Sequence, residues 1–358
     1  MITYRFPTNV SLTEVVQEYT IQRDKLVGNK LLPMRPRDTQ FIEWDELDYE
    51  AGMTAPHNMN VDPRVSGRPG QKTHRFAPLF FKETDVLKES DMLMPRMAGT
   101  LGGVLDLSAE IARISKARVD KNFLRLEWLI WQTLKGHLQY NENGVRVDET
   151  FGVQTQNALV DWDEFATATI IKDFQVMALR GRGLGVSFKA GATAYMNQTT
   201  ANWAVNNRND NDLWGYRNRD SVNATYSISD VNKILVAQSC PTIEVHDEGY
   251  YDSDGNFKLS LADGEVVVVG KRAAGETVGD VILTPSLHDA AMAAAGGGGA
   301  QHGFFSIIEV NGQANPGVVT IAELGGHKNP KVEITGGFYG GPRLLYPKSV
   351  INFNAKVT

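Results

Sequence analysis

Residues 107–140 read LSAEIARISKARVDKNFLRLEWLIWQTLKGHLQY, with no proline and a single glycine, Gly136, near the end. Val119, Phe123, Leu126, Ile130, Thr133 and Leu134 recur at steps of three and four, which is the period of one helix face. Leu124, Trp128, Trp131 and Leu138 widen that face, while Arg113, Lys116, Lys121, Arg125 and Lys135 mark a wet side. Asp106 and Ser108 supply capping chemistry at the start, and Asn141-Glu142-Asn143-Gly144 supplies a stop followed by a tight turn. The pattern predicts one helix from about Leu107 to about Tyr140, a rod of roughly 50 Å at about 1.5 Å per residue. Upstream of it the chain is extended and proline-punctuated, and downstream it is mixed α/β. That plan describes a body with a projecting arm rather than an enzyme built around a pocket.

The chain has 358 residues, 42% of them hydrophobic, enough for a sizeable core shared between two lobes. A net charge of −6 argues against a nucleic-acid binder. The lone cysteine, Cys240, excludes a disulfide framework within the chain and suits a reducing cytoplasm. No apolar run approaches about eighteen residues and no lysine-flanked apolar stretch opens the chain, so neither a membrane span nor a secretory signal is expected.

Upstream, residues 39–51 alternate acidic and apolar side chains: Ile42, Glu43, Trp44 and Asp45, then Leu47, Asp48, Tyr49 and Glu50. The parity slips near Asp45-Glu46, which a β-bulge would explain. Residues 52–70 are rich in Pro, Gly, Asn and Met, and residues 71–81 are extended again, which together describe a long hairpin with a mobile tip. An isolated hairpin is marginal in water, so this one is expected to lie on another subunit, the alternative being that it folds onto its own domain. Its acidic outgoing strand and basic return (Arg64, Arg68, Lys72, His74, Arg75) can pair with each other or with a neighbour. Further upstream, Leu31-Leu32-Pro33-Met34-Arg35-Pro36 breaks regular structure. Ser11-Leu12-Thr13-Glu14 is a capping box opening a short helix. Ile2, Tyr4, Phe6 and Val10 are more apolar than a free tail needs, which points to a partner.

Downstream, Asn143-Gly144 opens a hairpin into Val145, and Asp161–Arg180 reads as a helix. A short strand follows at Val186-Ser187-Phe188, then an α/β region with a helix near Ser229–Ala237. Cys240–Tyr251 and Phe257–Val269 read as paired strands across residues 252–256, and the chain is strand-like from Pro330 onward. The glycine-rich run 290–300 reads as a mobile loop.

Motifs for chemistry fail on inspection. GEVVVVGKR (264–272) has one residue too many for a phosphate loop and Arg272 where Ser or Thr is needed, so its valines read as a buried strand. Asp252, Asp254 and Asn256 begin like a calcium loop, but Phe257 replaces the required glycine. Gly181, Gly183 and Gly185 follow a helix rather than a strand, the wrong setting for a dinucleotide fingerprint. The seven histidines show no metal-ligand spacing, and Cys240 has no catalytic signature. Asp120 and Glu127, interleaved with the basic residues of the long helix, favour a solvated face or a subunit contact over nucleic acid. No catalytic, cofactor or metal site is expected.

The order of parts resembles the HK97-type fold of tailed-phage major capsid proteins, and more narrowly the lambda-like major capsid protein E family. The resemblance rests on Leu31-Leu32-Pro33, Ile42-Glu43-Trp44-Asp45, the Pro56–Gly70 tip, and Thr73-His74-Arg75-Phe76-Ala77-Pro78 leading into Met94-Pro95-Arg96. It extends through the helix end at Leu129–Tyr140 to Leu344-Leu345-Tyr346-Pro347-Lys348, so it spans nearly the whole chain. It implies an α+β architecture of five parts. These are an N-terminal arm (1–35), an E-loop β-hairpin (36–85), a P-domain with a spine helix (86–154), an α/β A-domain (155–330), and C-terminal strands returning to the P-domain (331–358).

The function implied is self-assembly into pentamers and hexamers of an icosahedral shell enclosing double-stranded DNA. Interface residues would be Tyr4, Phe6, Ile42, Trp44, Arg68, Lys72, Arg75 and Phe76. Implied partners are a scaffolding protein, a portal, a maturation protease and a decoration protein, with assembly in the host cytoplasm, residence in the virion and no membrane. A negative chain suits a container that must not grip DNA. Lys72 lies in the loop that carries a crosslinking lysine in some relatives, but no acceptor constellation accompanies it. The alternatives are an encapsulin-like compartment, which shares the fold, and an α/β enzyme whose site is assembled from distant residues.

Overall fold

The computed structural model describes residues 26–37, 41–47, 70–88, 90, 107–142, 144–209, 211–213, 227–252, 254–272, 275–284, 320–324 and 331–356, and 53, 56 and 62 singly. The expected helix opened by the capping box at Ser11–Glu14, the arm residues Tyr4 and Phe6, Arg68, and the glycine-rich run 290–300 lie outside the described residues.

A one-turn helix, α1 (Gly28–Leu31), packs on the long helix α2 (Leu107–Leu134). With 28 residues, α2 is about 42 Å long, shorter than the sequence pattern suggests. Its end is set by Gly136, whose φ of +94° is left-handed, and the chain then enters a strand, β5 (His137–Glu142). A Cβ at that glycine would meet the Cβ of Val153 at 3.0 Å. Gly144, at φ +79°, instead turns β5 into its antiparallel partner β6 (Val145–Thr150).

Two five-stranded sheets flank the inner part of α2. The first runs β1 (Met34–Pro36), β15 (Gly279–Leu283), β17 (Lys331–Leu344), β16 (Thr320–Leu324), and β4 (Leu79–Lys88) pairs along the other edge of β17. Val332, Ile334 and Phe338 of β17 alternate into the core, the period of a strand with one covered face. The segment expected to break regular structure supplies β1, parallel to β15 with Met34 beside Val281. It is the parallel docking, not propensity, that orders this proline-flanked strand.

The second sheet runs β10 (Thr242–Val245), β9 (Thr193–Met196), β13 (Glu265–Val269), β18 (Val350–Asn354), β7 (Gln154–Asn157). Its central strand, β13, is the valine run. Val267 packs into one apolar core and Val266 and Val268 into another, so both faces are covered and the strand is apolar throughout. The expected long pairing of Cys240–Tyr251 with Phe257–Val269 is limited to β11 (Gly249–Tyr251) and β12 (Phe257–Leu259), because β10 and β13 both pair with β9.

Helices α3 (Ile170–Leu179), α4 (Gln198–Asn206) and α5 (Ile228–Ala237) contribute to the second core. The helix expected from Asp161 starts only at Ile170. Trp162 turns inward to donate its indole N–H to Asp173 at 2.9 Å, and Asp212 accepts the Ile171 amide at 2.9 Å at the start of α3. The remaining strands form two small ladders, β2 (Ile42–Leu47) with β3 (Gln71–Phe76) and β8 (Val186–Ser187) with β14 (Lys271–Arg272).

Candidate assembly interface

The β2–β3 hairpin is regular from Ile42 opposite Phe76 to Leu47 opposite Gln71, so the bulge expected near Asp45-Glu46 is not formed. Its two faces differ. On one, Ile42, Trp44 and Phe76 are buried, at 1%, 8% and 6% exposure. Trp44 stacks on His74 at 4.8 Å and on Phe151 at 6.2 Å, and meets Phe76 edge-on at 6.1 Å. Gly341 of β17 lies beneath: a Cβ there would stand 3.1 Å from both Ile42 and Phe76. These three side chains therefore belong to the chain's own core, which corrects their assignment to a contact with a neighbour. Alternation along a strand says that a face is buried but not which chain covers it.

The opposite face carries Glu43, Asp45, Thr73 and Arg75, and the first face turns charged toward its far end, where His74 meets Glu46 at 3.3 Å and Lys72 lies opposite Glu46. Arg75 pairs with Glu43 at 2.7 Å and Thr73 donates to Asp45 at 2.6 Å, holding that carboxyl below the usual range. The acidic and basic strands thus pair with each other. Arg75 is exposed on the second face and lies 4.0 Å over the ring of Phe41, itself 40% exposed. Lys72 is exposed on the first face, opposite Glu46 and beyond the buried Trp44 and Phe76. Of the sequence-derived contact residues inside the described region, the structure leaves these two open and buries Ile42, Trp44 and Phe76.

A buried clamp that no sequence signal marks fixes the base of this hairpin. Arg343 of β17 grips Asp280 of β15 through two bonds, 2.6 and 2.9 Å, and donates a third to the Glu43 carbonyl at 3.4 Å. Arg35 of β1 reaches the same carboxylate at 3.8 Å. One ion pair so joins β1, the hairpin and the first sheet, and its bidentate geometry fixes their angles.

On the outer half of α2, Arg118 binds Asp85 and Glu83 of β4, and Lys121 reaches Glu83 at 3.2 Å. Beside them runs an open groove of about 450 Å³ lined by Val86, Leu87, Arg113, Ile114 and Ala117. Further exposed apolar groups are Phe80, Val86, and the pair Tyr251 and Phe257, whose rings are 5.3 Å apart. Cys240 is buried and its thiol pushed up to about 11, so it is unreactive. Among the described residues no cluster of His, Cys, Asp and Glu could hold a metal ion, and no helix is long and apolar enough to cross a membrane. Glu127, expected on a solvated face or at a subunit contact, is 3% exposed within the chain.

A long spine helix against a sheet, an anchored two-stranded projection and a second α/β core define an α+β subunit of the HK97-type capsid fold. The chain belongs to the phage major capsid protein E family, whose model matches residues 8–282. Among solved structures it is similar to a prophage protein of Escherichia coli CFT073 assigned as a capsid protein, at 14% identity, covering 97% of this chain and 98% of that one with a TM-score of 0.58. It is also similar to a phage-related protein of Bordetella bronchiseptica RB50 (11% identity, 96% of each chain, TM-score 0.49). The capsid of Myoviridae phage XM1 matches at 10% identity over 88% of this chain and 86% of that one, with a TM-score of 0.49. No curated protein matches it in sequence. As a family member it is a major head protein of a tailed phage, a structural protein of the virion capsid that associates with itself.

Proposed function

We propose that the chain forms the pentamers and hexamers of an icosahedral shell around double-stranded DNA, with the arm at 1–35 and the E-loop at 36–85. The P-domain would then be 86–154 with 331–358, and the A-domain 155–330. The observation that carries this reading is the family match over residues 8–282, on a subunit whose hairpin is anchored at its base and open on one face. Lys72 and Arg75 are the contacts this hairpin would offer a neighbour, with Tyr4, Phe6 and Arg68 adding to them. Each such contact can be weak, because closure of a shell multiplies it. Expected partners are a scaffolding protein, a portal, a maturation protease and a decoration protein, with assembly in the host cytoplasm. The shell would enclose DNA without reading its sequence.

Size-exclusion chromatography with negative-stain electron microscopy tests the reading, with and without a co-expressed scaffold. Rings, tubes or closed shells are expected, and a small monodisperse species under both conditions would overturn it. Deleting residues 52–70 is expected to leave a folded subunit that no longer assembles.

A further inference from the structure

Three elements meet around two buried ionisable side chains where the N-terminal segment joins the body. Glu127 of α2 is 3% exposed and His246, just past β10, is 2% exposed. Glu127 Oε1 accepts the Gly28 amide at 2.8 Å and the Trp131 indole N–H at 2.9 Å, and the Asn29 amide also bonds the carboxylate. Gly28 fits because a Cβ there would stand 2.8 Å from Oε2. His246 Nε2 lies 3.8 Å from Oε1, with its ring 4.6 Å from that of Trp131. Among the described residues, neither Glu127 Oε2 nor His246 Nε2 has a hydrogen-bond partner. Buried polar atoms are nearly always paired, and with the imidazole proton on Nδ1 one further proton placed between these two neighbours would satisfy both.

The surrounding charges are few. Burial, and then Glu248 on the segment of His246, push Glu127 above the usual carboxylate range, while the amides of Gly28 and Asn29 and the Trp131 indole oppose them. Burial drops His246 to about 4 against the pull of Asp247, so its imidazole is neutral and able to accept. Lys30, the only charged residue of α1, is exposed.

We propose that Glu127 is a proton-operated latch on the N-terminal segment. Ionised, it holds the amides of Gly28 and Asn29 through charge-assisted bonds. Protonated, it is a weaker acceptor and gains a donor, which it turns to His246 Nε2 as the segment loosens. The side chain stays among Trp131 and His246 but loses the amides that favour its charge, so the loosened state binds the proton more tightly than the latched one. One proton is taken from solvent, it stays on Glu127 in a bond to His246, and no other group changes charge. The device works within one subunit and does not depend on shell assembly.

Hydrogen–deuterium exchange on the full chain between pH 8 and pH 5, corrected for intrinsic exchange, tests this. Protection of residues 26–32 is expected to fall roughly ten-fold as pH drops, while Leu129–Leu134 stays protected. Glu127→Gln should give low protection at every pH. His246→Phe removes the acceptor, so the loss should move to lower pH. Protection that does not vary with pH in the unmodified chain, or an unchanged midpoint in His246→Phe, would overturn the proposal. Should Glu127→Gln fail to fold, those two measurements still decide it.

Discussion

The two halves of α2 are held by different means. Along the outer half the buried positions among the described residues form a single row, Ile111, Ser115, Val119 and Phe123, each four residues from the last. That row rests on Val332 and Ile334 of β17, and the flank is tied by the charges of Arg118 and Lys121 to β4. In the inner half Leu126, Glu127, Leu129, Ile130, Trp131, Thr133 and Leu134 are all buried, and the helix is wrapped nearly all round. A helix buried on every side cannot shift without opening a core, whereas one resting on a single stripe can tilt or fray at modest cost. One uninterrupted helix therefore carries a fixed root and a loosely bound end.

The strongest challenge to that contrast is Trp131→Ala. Trp131 is fully buried, packs edge-on against Tyr195 at 5.6 Å and donates to Glu127. Truncation is expected to cost about 3–5 kcal/mol and to lower the melting temperature of the whole body by circular dichroism. A loss confined to α2 would mean that the inner half is no more integral than the outer.

Arg343→Met probes the same root from the sheet side. It leaves the buried Asp280 with only the largely exposed Arg35 at 3.8 Å, and a loss of about 3–5 kcal/mol is expected. The double change Arg343→Met with Asp280→Leu should recover much of it in chemical denaturation, since the carboxylate then needs no partner. Failure to recover would locate the effect in the bond to Glu43 and the angle of the hairpin rather than in charge burial.

What the sequence revealed of this contrast follows from which signals are local. The 3.6-residue period of α2, the alternation of β2 and the valine run of β13 are each written in neighbouring residues, and each element formed. The expected helix overruns its end because Leu138 and Tyr140 suit both the helix and the strand β5, and only the backbone of Gly136 decides between them. Glu127 reads as a group for a solvated face or a subunit contact because charged residues are seldom buried, and its partners Gly28 and His246 are distant in the chain. Asp280 and Arg343 are 63 residues apart, so no spacing announces the clamp. The buried face of the hairpin was legible, but the chain covering it was not.

On the outer half, Ile111→Ala is expected to cost about 2 kcal/mol, with the loss expressed locally. Exchange should accelerate in the first turns of α2 while residues 126–134 keep their protection. Equal acceleration in both halves would show that the helix melts as one unit and would break the comparison.

The smallest effect expected is that of Arg118→Gln. The guanidinium side chain is 15% exposed and holds two carboxylates of β4, Glu83 and Asp85, with Lys121 beside the first. Without it Glu83 and Asp85 face each other across one position of the same strand with only Lys121 between them and solvent. Both carboxylates are open to solvent, at 57% and 36% exposure, and ion pairs in that setting are worth about 0.2–1 kcal/mol and are screened by salt. The change should therefore cost under about 1 kcal/mol in roughly 0.01 M salt and almost nothing in about 1 M, read as exchange in the outer turns of α2. A cost that persists in high salt would assign the contribution of Arg118 to the packing of its stem along the groove beside Val86 and Leu87. The outer half would then be held by apolar contact like the inner, and the contrast between the halves would be one of extent rather than kind.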